Sequence, residues 1–462
     1  MNRLTAFYTG NRQIFSMIFH LAWPAIVEQL FQTIVQYIDT AMVGRIGAQA
    51  SAAVGLTSSV TWLVNSPLFA MGIGVLSCIA VAVGSGDHQR AKEYGVQSLT
   101  FIVTLGIGMG VLLVGISPFL PAWMGADPAI RRDASVYFGI ICAPMLFRAA
   151  SIILGSVMRG AGDAKSPMIA NILLNLTNVV LNFLLIYDSR TVTLGGMQLW
   201  IPGAGLGVAG AAIGTAASYC VGGTFMVIAY LRNPILSPRG LSLRPQPALL
   251  RNCLRIGLPV AMERLSTCLG HVVFVSMVTR LGTLALATHS IAITAEQAFY
   301  VPGFGMQAAA STLAGNCVGE RDQEKFKRVT GIITGIAVAM MTVTGALLFL
   351  FPEFMMSLFT TDPQVISGGI HVLRIVAVSE PMYGAMIVLE GVFNGIGDTR
   401  IPFLISLFAM WAVRILGTCC VILLFGGGLE MVWVCMVADN ITRCLCLTLR
   451  FMKGSWKYKF EA

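Results

Sequence analysis

The chain has 462 residues, 56% of them hydrophobic and only 11% charged, with a formal net charge of +9. Soluble domains carry about 25% charged residues, so this composition excludes a soluble globular protein and indicates a polytopic membrane protein with little room for a separate soluble domain. The positive balance does not indicate nucleic acid: there is no RNP motif, Cys/His finger or basic domain, and basic residues crowd the short loops of membrane proteins.

The N-terminal segment MNRLTAFYTGNRQ leads into an apolar run too long for a signal-peptide core, and is expected to be retained. Apolar runs of about 20 or more residues are candidate membrane helices. They place spans near 15–43, 54–83, 95–120, 135–158, 166–187, 205–231, 256–279, 288–318, 329–352, 368–393, 402–425 and 429–450. The breaks between them carry turn signals, among them GSGDHQR at 84–90, RGAGDAKSP at 159–167, GERDQEK at 319–325 and NGIGDTR at 394–400. The expected fold is therefore all-α, with twelve transmembrane helices.

Span 1 holds the first anomaly. Residues 28–47 read EQLFQTIVQYIDTAMVGRIG, with Glu28, Gln29, Gln32, Gln36 and Asp39 inside an otherwise apolar run. On a helix these five fall within an arc of about 100°. A carboxylate at bilayer depth costs roughly 2.5–3.5 kcal/mol on insertion scales. A glutamine on such a stripe is accounted for as interhelical glue. Asp39 must instead pair, neutralise or bind a cation. Span 5, ANILLNLTNVVLNFLLIYD, offers neutral partners: Asn171, Asn175, Asn178 and Asn182 are spaced 4, 3 and 4 and share an arc of about 60°. No cationic side chain is expected in this cluster, because Arg148 and Arg159 belong to another helix or its end. Asp39 can then take up a proton or hold a small hard cation such as Na⁺ among carbonyl and amide oxygens.

Span 6 opens with PGAGLGVAGAAIGTAAS, whose residues 205–210 fit the dinucleotide fingerprint GxGxxG. That reading is rejected, because the motif opens a membrane span and is expected to follow no strand. Close helix contact through small residues explains it, and Thr215 can add a hydroxyl.

Shifting the first half by 235 residues superposes many landmarks without a gap. Pro24 falls on Pro259, Glu28 on Glu263, Gly47 on Gly282, Gly84 on Gly319, Asp127-Pro128 on Asp362-Pro363, and Gly162-Asp163 on Gly397-Asp398. The chain is thus an internal repeat of six spans, and an even number gives both halves the same orientation. The expected organisation is a first lobe at 1–231, a cytoplasmic linker at 232–255 and a second lobe at 256–462. With the N-terminus inside, the inner segments carry twenty Lys and Arg and the outer loops five, so both termini are expected to be cytoplasmic in a cell (inner) membrane.

The second half carries more charge within or near its spans: Glu263, Glu296, Glu380, Glu390 and Asp439 against Arg264, Arg374, Arg414 and Arg443. Asp439 and Arg443 stand i,i+4 on span 12 and are expected to pair. His289 and Glu296 share a face of span 8. The group is read either as a buried ion network that holds the half rigid or as an acidic site for a cationic substrate or second ion. The eleven cysteines lie mostly in apolar runs and form no CxxC, so they read as small packing residues without redox or zinc chemistry. The 24 methionines and 25 phenylalanines suit a pliable apolar cavity.

Taken together, P-x(14)-D-T-x-x-V-G-R-x-G in span 1, R-G-A-G-D-A-K-x-P at 159–167, its echo N-G-I-G-D-T-R-x-P at 394–402 and F-Y-V-P-G-F-G at 299–305 resemble the multidrug and toxic compound extrusion (MATE) family over residues 15–450. The resemblance implies a V-shaped pair of six-helix lobes. It also implies a secondary-active antiporter, not an enzyme, that exports amphipathic and often cationic molecules against inward H⁺ or Na⁺ without a cofactor. Its cation site maps onto Asp39, Asn178, Asn182, Ala211 and Thr215, with Glu28, Gln32, Gln36 and Asn175 as further cavity residues. Some members carry aspartate where Asn182 stands, so the second carboxylate of a two-acid proton site is missing here. Some branches place an acid in span 7 where this chain has Thr267, and one in span 10 at Tyr383; Glu263 and Glu380 stand one turn earlier. Glu263, Glu296, Glu380 and Tyr383 are therefore candidates for a second cation or substrate site. Small organic molecules and the lipid bilayer are the expected partners, and the chain is expected to act as a monomer. The alternative is a flippase for lipid-linked sugars or lipids of the same superfamily, which predicts a strongly basic interior; the first-half spans hold little cationic charge beyond Arg148. A membrane-embedded enzyme is not supported, since there is no HExxH and no GxSxG with partners.

Overall fold

The computed structural model describes residues 11–194, 197–238 and 240–461. The N-terminal segment 1–10, expected to be retained, lies outside the described residues.

The twelve spans appear as helices α1 (Arg12–Gly44), α2 (Ala48–Gly84), α3 (His88–Ile116), α4 (Pro128–Cys142 and Met145–Gly160), α5 (Lys165–Leu185), α6 (Gly207–Arg232), α7 (Pro247–Thr279), α8 (Thr283–Gly319), α9 (Gln323–Leu350), α10 (Pro363–Ala377 and Glu380–Gly395), α11 (Arg400–Leu424) and α12 (Leu429–Met452). Among the described residues, nine are single helices long and apolar enough to cross a membrane, and the two bent pairs bring these to eleven. The twelfth, α8, has 37 residues but carries His289, Glu296 and several hydroxyls along its length.

The repeat is written into the backbone. The α4 segments bend by 52° at Ala143-Pro144, and the α10 segments by 53° at the matching Val378-Ser379, just before Pro381. Proline removes a donor and clashes with the preceding turn, which bends a helix. Asp127 caps α4 by accepting from the Ala129 amide at 2.8 Å, and Asp362 caps α10 by accepting from Gln364 at 2.9 Å, each with proline in the first turn. Such caps satisfy amides that a helix start leaves unpaired. Gly162 and Gly397 are both left-handed, at φ of 87° and 70°. Gly86 is matched by Arg321, whose φ of 58° makes it the one non-glycine residue in the left-handed region among those described.

Three features depart from the sequence-based expectation. Two strands, β1 (Asp188–Leu194) and β2 (Met197–Ala204), pair antiparallel. The GxGxxG stretch therefore does follow a strand, contrary to expectation. That strand belongs to a two-stranded sheet and not to a βαβ unit, so the dinucleotide reading still fails. Helix α7 begins at Pro247, nine residues ahead of the expected span, as a helical extension carrying Arg251 and Arg255. Helix α11 widens into a π-helical turn at Ala409–Ile415, which contains Arg414.

By contacts the chain forms two compact units. One comprises Leu30–Val75 and His88–Arg251, the other Met1–Gln29, Leu76–Asp87 and Asn252–Ala462. The boundaries cut through α1, α2 and α7. In the first unit, α6 lies on α5 along a stripe of small residues. A Cβ at Gly210 would meet the Leu185–Ile186 backbone, one at Gly214 the Asn182 side chain, and one at Gly222 the Leu174 side chain. The Gln97 side chain pins the linker by donating to the Arg244 carbonyl at 3.1 Å and accepting from the Gln246 amide at 2.9 Å. In the second unit, Phe274, Val372, Leu373, Trp433 and Met436 belong to the apolar core. The end of α2 joins it through Ser77 Oγ, which donates to the Gly395 carbonyl at 2.8 Å. Beyond α12, Trp456 and Phe460 are buried around Phe326, and Arg450 pairs with Asp398.

Candidate functional site

The asparagine face of α5 meets Asp39 within the first unit. Asn182, fully buried, donates through Nδ2 both to Asp39 Oδ1 and to Asn178 Oδ1, the latter at 3.3 Å. Asn178 donates to Thr215 Oγ1 at 3.1 Å, and the Thr215 hydroxyl donates to the Ala211 carbonyl at 2.9 Å. Tyr137 of α4 bonds to Thr215 and lies within electrostatic reach of Asp39. Helices α1, α5 and α6 thus place Asp39, Asn178, Asn182, Ala211 and Thr215 in one chain of hydrogen bonds. The missing Cβ at Gly214 lets α6 approach Asn182 so closely.

The donor atoms are all oxygens or amides, the set that suits a small hard cation. Asn182 Oδ1 is buried with no hydrogen-bond partner. A buried amide oxygen left bare carries a desolvation cost. Among the described residues no group of three or more His, Cys, Asp or Glu is placed to hold a metal ion, so a cation here would rest on one carboxylate and neutral oxygens.

In front of this chain lies a cavity of about 220 Å³. Its walls include Gln32, Gln36 and Asp39 from α1, Trp62 and Asn65 from α2, Tyr137 and Arg148 from α4, Asn171, Asn175 and Asn178 from α5, and Thr215 and Tyr219 from α6. Gln32, Gln36 and Asn175 stand on this wall. Glu28 does not: it is buried in the other contact unit. The expectation that no cation borders the cluster is corrected. Arg148 lines the same cavity as Asp39, because the second segment of α4 packs against α6. Tyr137 and Tyr219 were not anticipated either, since a single tyrosine in an apolar run carries no periodic signal.

The second unit gathers the remaining charges. Asp439, fully buried, is held between Arg414 at 2.7 Å and Arg443 at 2.8 Å. The pairing with Arg443 is the one its spacing predicts; the π-helical turn of α11 adds Arg414. Glu263 accepts from the Ser406 hydroxyl and lies within electrostatic reach of Arg264, Arg443 and Glu390. Glu296 interacts with Arg414, Glu380 with Glu296, and Tyr383 with both glutamates. All four candidates of this half therefore join one buried network. Glu263 Oε2 and Glu380 Oε2 remain without hydrogen-bond partners.

A family model described as MatE matches the chain twice, over residues 24–184 and 259–419, at the 235-residue offset of the repeat. The chain belongs to the MatE family. Members of this multidrug efflux family are multi-pass secondary transporters, ion-coupled and acting on small organic substrates, and they are not enzymes. A relative described as a probable multidrug resistance protein NorM from Thermotoga maritima is 28% identical over 445 residues, 95% of this chain and 92% of its own length. A MATE solved in complex with MaL6 is 25% identical, with a TM-score of 0.87 over 96% of this chain and 97% of its own. A MOP superfamily transporter from Pyrococcus furiosus is also 25% identical, with a TM-score of 0.86 over 96% of each chain. The MatE fold, twelve helices in two repeated lobes, is the architecture described above.

Proposed function

We propose that the protein exports amphipathic, often cationic, small organic molecules in exchange for inward H⁺ or Na⁺, with Asp39 as the coupling carboxylate. The observation that carries this reading is the hydrogen-bonded chain Asp39–Asn182–Asn178–Thr215 beside an open cavity, with Asn182 Oδ1 buried and unpartnered. Asp39, Asn178 Oδ1, Asn182 Oδ1, Thr215 Oγ1 and the Ala211 carbonyl would hold a Na⁺ ion. A proton would sit on Asp39 itself. In either case the charge of Asp39 is balanced only while the ion is bound, so occupancy biases the inward–outward equilibrium through the differential affinity of its two states. Each unit charge moved inward yields about 2.3 kcal/mol per 100 mV. Lobes at 1–231 and 256–462, a cytoplasmic linker, both termini inside and a monomeric transporter complete the proposal. The relative described as a multidrug resistance protein supports the export of drugs.

The test is efflux of a cationic dye such as ethidium from vesicles, with Na⁺ and pH gradients imposed separately. Wild-type protein responds to one or both gradients. Asp39→Asn is expected to abolish gradient-driven efflux at normal expression, and efflux retained in that variant overturns the coupling role.

A further inference from the structure

The cavity beside Asp39 also contains a charge that cation export does not use. Arg148 stands near the middle of its span, well away from either end, so its guanidinium cannot reach headgroups by extending along the helix. Its guanidinium carbon lies over the Tyr219 ring, 4.5 Å from the centroid, and it lines the cavity with Trp62, Tyr219 and Asn171. Its Nε is buried and has no hydrogen-bond partner. No carboxylate among the described residues lies within ion-pair distance of it, Asp39 on the same wall included. A guanidinium is planar and presents a rigid fork of N–H donors, the geometry that matches a carboxylate, and its place over the ring holds it at the cavity wall. Intramembrane charges are costly and mark ligand paths when they face a cavity.

We propose that Arg148 is an anion-recognition residue, and that this cavity binds compact aromatic carboxylates. The carboxylate would take the guanidinium, and the ring would lie against Trp62 and Tyr219. A volume of about 220 Å³ admits a body of one or two fused rings. It is smaller than the roughly 300–1,000 Å³ of drug-sized pockets. The inference rests on the transporter reading for its biological sense, but its test does not.

Equilibrium binding of 2-naphthoate and of its neutral counterpart 2-naphthamide is measured by calorimetry on the purified full-length protein in detergent. Wild-type protein is expected to bind the carboxylate at least tenfold more tightly than the amide. Arg148→Gln is expected to erase that preference and Arg148→Lys to keep part of it, because lysine retains the charge without the planar fork. Equal wild-type affinities for acid and amide overturn the proposal without any variant being made. So does a preference that survives unchanged in Arg148→Gln. No gradient is present, so failure here leaves the coupling role of Asp39 standing, and loss of that role leaves this result standing.

Discussion

Asp39 and Asp439 are both buried carboxylates in membrane helices, yet their surroundings give them opposite duties. Asp439 touches two guanidiniums, at 2.7 and 2.8 Å. Replacing it removes the direct ion-pair partner of two buried arginines, which costs about 3–5 kcal/mol. Asp439→Asn is therefore expected to lower the unfolding midpoint in detergent sharply, measured by thermal unfolding of the purified protein. Among the described residues, the hydrogen-bond partner of the Asp39 carboxylate is an amide, itself shared with Asn178. Asp39→Asn keeps a hydrogen-bonding group of the same shape and is expected to leave that midpoint nearly unchanged while transport is lost. The sequence separates the two residues to the extent that Asp439 has Arg443 one turn away, whereas Asp39 has no base within reach along its helix. It does not show Arg414, which stands 25 residues before Asp439 and is delivered by a π-helical turn.

At the scale of elements, glycines and caps do most of the positioning. Gly84 and Gly319, equivalent in the repeat, make a reciprocal contact. A Cβ at Gly84 would lie 2.7 Å from Asn316 Cα, and one at Gly319 would lie 2.6 Å from the Ser85 amide nitrogen. Both obstacles are backbone and cannot move aside as a side chain can. Gly84→Ala is expected to destabilise by about 1–3 kcal/mol, as overpacking does. Gly55 lies on the same helix with nothing within 4 Å of its missing Cβ. Gly55→Ala is expected to stabilise by about 0.5–1 kcal/mol through helix propensity. Comparing the two unfolding midpoints checks the seam, and two shifts of the same sign would contradict it. Asp127→Ala and Asp362→Ala should each cost about 1 kcal/mol as lost caps, with similar size because the repeat places both before proline. Most of these elements are legible in the sequence, since the DP pairs, the glycines and the apolar runs are local signals. The strands β1 and β2 escape it, because they pair with each other in a two-stranded sheet and their pairing is not a signal read from either segment alone.

Over the whole molecule, the candidate cation site and its cavity belong to one contact unit and the dense ion network to the other. All eleven cysteines are free thiols, with the sulfurs of Cys78 and Cys253 approaching to 3.8 Å. A thiol titration of the protein unfolded without reductant is expected to count eleven; a count of nine would mean that this pair had joined. The amino-acid sequence by itself determined the membrane class, the helices, the twofold repeat, and the stripe on α1 facing the asparagines of α5. Hydropathy, 3.6-residue periodicity and turn chemistry are properties of neighbours along the chain. Only the tertiary structure decided which side chains share a cavity. It brought Arg148 and Tyr137 to the wall that holds Asp39, and put Glu263, Glu296, Glu380 and Tyr383 within electrostatic reach of the charges of one unit. Those outcomes depend on helix bends and on contacts between different helices, where a bend of about 50° redirects every side chain beyond it.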